Sequence, residues 1–124
     1  MKLLLAILPT ILLTAYSQLI VKWRVTVLAA AAAGDSAGAA ARAARYLVDP
    51  YIISAFVFSL LSAVAWLYVA EKYPVSIAFP TYVGVLFAIV TVGGALLLKE
   101  ALSAQHLVGL ALILIGVVVV SRVA

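Results

Sequence analysis

Cysteine is absent from all 124 residues, and only 10% of them carry a charge. Without a thiol there is no disulfide framework, no Fe–S cluster and no Cys nucleophile. The single histidine has no carboxylates or thiolates near it in sequence, so no metal site is expected. Acids are scarcer still: Asp35, Asp49, Glu71 and Glu100 are the whole set, against eight Lys and Arg. None of the four falls within a long apolar run; all lie at the ends of such runs or between them. A small proton-coupled membrane exchanger needs a buried acid whose pKa desolvation lifts into the working range. This chain is not expected to be one. No nucleophile–base pair and no paired carboxylates can be assembled either, so neither an enzyme nor a bound cofactor is expected.

What fills the chain instead is apolar. Hydrophobic residues make up 69% of it, and the mean hydropathy is +1.34. A hydrocarbon layer about 30 Å thick takes roughly 20 apolar helical residues to cross. Four runs approach that length, at about 3–21, 51–70, 75–98 and 104–121, separated first by an Ala-rich loop at 25–46. Backbone in lipid must satisfy its own hydrogen bonds, so the expected fold is an all-α membrane protein, a four-transmembrane-helix bundle. No length remains for a soluble domain. The opening Met1-Lys2 and apolar run resemble a signal peptide, but the run is long and no small-x-small site follows Tyr16, so a retained first span is expected. Four helices enclose little interior, so a dimer, with a second copy or a similar small subunit, is expected from size alone.

The first span carries Thr10, Thr14, Ser17, Gln18 and Lys22, a spacing of i, i+4, i+7, i+8 and i+12 that puts all five on one face. That face should turn inward, either as helix-to-helix glue or as a polar path. Lys22 lies roughly 28 Å along the helix from Leu3 and so near the far membrane face, where it can snorkel beside Trp23 and Arg24. The Ala-rich stretch reads as a helical extension of the first span, a turn at Gly34-Asp35-Ser36, then a short surface helix bearing Arg42 and Arg45. Asp49-Pro50 is a start signal for the second span. Ser59, Ser62 and Trp66 share one of its faces. The short turn Glu71-Lys72-Tyr73-Pro74 requires spans two and three to form an antiparallel hairpin. Pro80, followed by Tyr82 and Gly84, should kink the third span, and Gly84, Ala88, Thr91 and Ala95 form a small-residue stripe. Glu100 follows that span, an unfavourable end for an unpaired anion. Gly109 and Gly116 fall on one face of the fourth span and suit helix packing, here assigned to the dimer.

The basic cluster of Lys22, Arg24, Arg42 and Arg45 is read as a topology signal and a set of headgroup contacts, not as a nucleic-acid site. With Lys99 it outweighs Lys2, Lys72 and Arg122 on the other side, which favours the first loop in the cytosol.

The segments Tyr73-Pro74-Val75-Ser76-Ile77-Ala78-Phe79-Pro80 and Leu98-Lys99-Glu100, with Gly109 and Gly116, resemble the small four-helix members of the drug/metabolite transporter superfamily. Tyr16-Ser17-Gln18-Leu19-Ile20-Val21-Lys22 is similar to the end of their first helix. Two branches compete. In the small multidrug resistance branch the first helix holds an acid, which falls on Thr14 here, and an aromatic of the third helix falls on Tyr82. The resemblance is closer to the aminoarabinose-lipid flippase subunits, which implies a transporter of a polyprenyl-phosphate-linked monosaccharide in the bacterial inner membrane. On that resemblance Lys22 and Arg24 would hold the phosphate. Thr14, Ser17, Gln18, Tyr82 and Glu100 would line the path, and the lipid tail would stay in the bilayer. A small-solute or cation exporter and a non-transporting accessory subunit of a membrane glycosyltransferase are the alternatives.

Overall fold

The computed structural model describes residues 2–32 and 38–122. The expected turn at Gly34-Asp35-Ser36 lies outside the described residues. Five helices follow in order: α1 (Lys2–Ala31), α2 (Ala39–Val48), α3 (Pro50–Lys72), α4 (Val75–Leu97) and α5 (Ala104–Ser121). All but α2 are long and apolar enough to cross a membrane, so the chain is a multi-pass membrane protein. Their outward faces are lined by bare Leu, Val, Ile and Phe side chains, which is what lipid accepts and water does not.

Local signals set the helix ends. Asp49 caps α3, its carboxylate accepting from Ile52 N–H at 3.2 Å, with Pro50 at the first helical position. Ser103 caps α5 in the same way, accepting from His106 N–H at 3.1 Å. Helix α4 continues through Pro80, and Thr81 Oγ1 donates to the Ile77 carbonyl at 2.7 Å one turn back. Helix α2 carries Arg42 and Arg45 on one side and Ala40, Ala44, Leu47 and Val48 on the other, the pattern of a helix lying at a membrane surface.

Helix α1 is the hub. It packs most extensively on α3 and next on α4, while α5 packs on α4. The short connection between α3 and α4 does not make them close neighbours along their length. They meet chiefly through Trp66, Phe79 and Tyr82, whose rings are 5.2–6.2 Å apart. Small residues let α1 come between them. Ala55 of α3 is buried where Ser17 of α1 bonds its carbonyl, and Gly93 of α4 receives Leu19 of α1, where a Cβ would come within 2.9 Å of Leu19. Gly84 gives α5 its seat on α4, since a Cβ there would overlap Val117.

The apolar core occupies one end of the bundle. Ile7, Ile11, Val69 and Ala78 are buried together, with Leu3, Trp66, Tyr82 and Leu86 packed around them. The side-chain hydrogen bonds and ion pairs between helices lie in the middle and at the opposite end.

Candidate functional site

Midway along α1 the expected polar stripe resolves into a layer of hydroxyls. Tyr82 Oη donates to Thr14 Oγ1 at 3.0 Å, and Ser62 Oγ donates to the Thr10 carbonyl at 3.2 Å. Thr14 and Ser62 are also 2.5 Å apart, oxygen to oxygen. Either hydroxyl can donate in that contact. The result is a hydroxyl chain through Tyr82, Thr14, Ser62 and the Thr10 carbonyl that stitches α4 to α1 and α1 to α3. Ser17 adds a further stitch, donating to the Ala55 carbonyl at 2.8 Å while also lying 3.0 Å from its own Leu13 carbonyl. Thr10 Oγ1 is buried with no partner.

The rest of the stripe departs from this layer. Gln18 is exposed rather than bonded into α3. Lys22, one turn further on, lies at the charged end of the bundle, where its Nζ stands 3.7 Å from Glu100 Oε1. Lys22 and Glu100 line a cavity of about 350 Å3 together with Trp23, Thr26, Leu97, Leu98 and Lys99. Both charged side chains are about half exposed, 59% for Lys22 and 46% for Glu100. At this length and exposure the pair is a loose association that contributes little to holding the fold.

Arg24 does not join Lys22. Two residues apart on a helix, the two side chains point to different sides, and Arg24 turns to α3. Its Nη2 and Nε donate to Asp49 Oδ1 and Oδ2 at 2.7 and 3.1 Å. The guanidinium also lies against the Trp23 ring (5.1 Å) and the Tyr51 ring (4.8 Å), whose planes meet edge to face. Arg24 therefore has its fork filled by a carboxylate and clamps α1 to the start of α3. The Arg24 hydrogen bonds are the main reason the Asp49 carboxyl sits below the ordinary carboxylate range. Desolvation works against them, and the Ile52 N–H adds to them. Asp49 was legible in the sequence as a cap but not as the partner of Arg24.

Of the residues expected to line a path, the fold brings Thr14 and Tyr82 into direct contact, places Ser17 beside them, and joins Lys22 to Glu100 some two turns away along α1. Ser62, which completes the hydroxyl chain, was not among them. Its position on the Trp66 face of the second span was the signal available. Gly109 and Gly116 face open space, with nothing within 4 Å of a Cβ built at either. Gly109 lines a groove of about 370 Å3 with Phe87, Ser103 and His106.

No protein-family model matches the chain, and no solved structure matches it. Curated proteins do. A probable 4-amino-4-deoxy-L-arabinose-phosphoundecaprenol flippase subunit ArnE of Pseudomonas savastanoi pv. phaseolicola is 39% identical over 64 residues, which cover 52% of this chain and 55% of the relative. The subunit of the same name from Pseudomonas syringae pv. syringae is 39% identical over 59 residues (48% and 54%). That of Proteus mirabilis is 34% identical over 73 residues (52% and 64%). The chain thus spans between 54% and 64% of the length of the curated relatives it matches, and over that stretch it resembles the aminoarabinose-phosphoundecaprenol flippase subunits.

Proposed function

We propose that this chain is a subunit of a bacterial inner-membrane flippase for a polyprenyl-phosphate-linked monosaccharide. The observation that carries the reading is the half-exposed Lys22 ammonium in a cavity at the end of a span, within a bundle whose spans hold no acid. The likeness to flippase subunits supports the same class of cargo. Such a cargo has an anionic phosphate, a polar sugar and a long apolar tail. Lys22 supplies the cation for the phosphate. Gln18, about 6 Å nearer the membrane centre along the same helix, meets the sugar. Thr14 and Tyr82 continue the polar lining, with the Tyr82 ring as a surface for the sugar, and Glu100 stands at the mouth; Ser17, buried and bonded to Ala55, has no part in it. The tail needs no enclosure, since the bundle is open to lipid on every side.

Arg24 has no part in this assignment, because Asp49 already holds it. The exposed side of α5, with Gly109 and Gly116, is the face on which a second copy or a similar small subunit packs, and the path is completed between the two.

The test is flipping of a fluorescent polyprenyl-phosphate-monosaccharide in proteoliposomes, read by the fraction of label a membrane-impermeant reductant can bleach. Lys22→Ala and Gln18→Ala should each slow flipping at unchanged protein content. Full flipping by both variants would refute the assignment.

A further inference from the structure

Lys22 does not wait in its cavity with water alone; it already faces an anion, and that anion is held there by two separate features. Lys99, which precedes Glu100, has φ at 56°, the left-handed region that a side-chain-bearing residue disfavours. This turn lets Glu100 N–H reach back to the Gly94 carbonyl at 3.2 Å. The second feature is Gly94 itself. The Glu100 carboxylate lies over it, and a Cβ there would come within 3.1 Å of Glu100 Oε2. The left-handed residue and the backward bond also close the C-terminus of α4. A carboxylate just beyond a helix C-terminus meets the negative end of the dipole, and the Lys22–Glu100 separation of 3.7 Å is too long for a firm hydrogen bond. The turn that ends α4 thus sets a carboxylate, loosely, in front of one ammonium.

We propose that Glu100 is the resident counter-ion of Lys22, which the phosphate of an incoming cargo displaces and which returns as the phosphate leaves. This rests on the reading of Lys22 as the phosphate-binding residue. The exchange keeps the ammonium paired throughout, so the cargo need not be held tightly and can be let go on the far side.

The test uses the full chain in detergent micelles, with farnesyl monophosphate as the probe and farnesol as the uncharged control. Trp23 lines the cavity, so its emission, isolated in a Trp66→Phe background, reports binding. Glu100→Gln should tighten farnesyl monophosphate about two- to fivefold, the scale of one exposed ion pair. It should leave farnesol unchanged. Glu100→Asp, which keeps the charge, should stay near wild type. Lys22→Ala should abolish phosphate-dependent binding with either residue at 100. If Lys22→Ala abolishes binding while Glu100→Gln weakens it or leaves it unchanged, the counter-ion role is refuted and the phosphate assignment stands. The same holds if Glu100→Asp behaves like Glu100→Gln. If Lys22→Ala binds as well as wild type, the phosphate assignment fails and the exchange fails with it.

Discussion

The hydroxyl chain at mid-bundle makes Thr14 the residue whose loss should cost most, although its side chain is among the smallest there. Thr14→Val keeps shape and volume but removes the oxygen that accepts from Tyr82 and is bonded to Ser62. Interhelical hydrogen bonds in membranes average about 0.6 kcal/mol and reach about 1.7, so two of them are worth about 1–2 kcal/mol. Tyr82→Phe removes only the terminal donor and leaves Thr14 bonded to Ser62, at a cost of about 0.6 kcal/mol. Ser62→Ala vacates the Thr10 carbonyl, to which the Thr14 hydroxyl can then turn, four residues back on its own helix, so its cost should stay below about 1 kcal/mol. Thr14 and Tyr82 share a bond, and the double variant should cost about 0.6 kcal/mol less than the sum of the singles. Unfolding by titration with sodium dodecyl sulfate in mixed micelles, followed by helical circular dichroism, measures all four. A double variant additive within about 0.3 kcal/mol, or Tyr82→Phe costing as much as Thr14→Val, would refute the hydroxyl chain.

Two further outcomes are expected. Because Arg24 holds the folded-state pKa of Asp49 below its unfolded value, the stabilisation from this carboxylate is present above the ordinary carboxylate pKa and lost as pH falls through the depressed one. The gap in melting temperature between wild type and Asp49→Asn should therefore be constant from about pH 7 to about pH 5 and narrow progressively below about pH 4. A gap as wide at about pH 3 as at about pH 7 would contradict it. Gly84→Ala should force α5 away from α4, through the overlap with Val117, and cost about 1–3 kcal/mol in the same unfolding assay. Gly116→Ala should leave the unfolding of the isolated chain unchanged and alter only the oligomer distribution seen by native mass spectrometry. Equal effects of the two in the unfolding assay would contradict this division.

Much of the site was readable because its residues lie on one helix. The stripe from Thr10 to Lys22 follows from the 3.6-residue period, and Thr14, Ser17 and Tyr82 do come together. What periodicity left open was which part of a face spanning more than a third of a turn meets which neighbour. Thr14 and Ser17 found α3, whereas Gln18 and Lys22, rotated onward, did not. The same period, applied to Lys22 and Arg24, points their side chains to different sides, whereas the family resemblance paired them on one phosphate. Ser62 and Asp49 acquired their roles from partners 48 and 25 residues away, a distance over which a single sequence carries no pairing signal.

By itself the sequence determined that the chain forms four apolar spans free of acids, with a cap residue at Asp49, because helix and burial in lipid are answers to local composition and backbone hydrogen bonding. Only the tertiary structure decided that α1 comes between α3 and α4, that Arg24 is consumed by Asp49, and that Glu100 is brought to Lys22. Those outcomes depend on where small residues let helices approach and on a left-handed turn at Lys99, which no local preference of lysine would select.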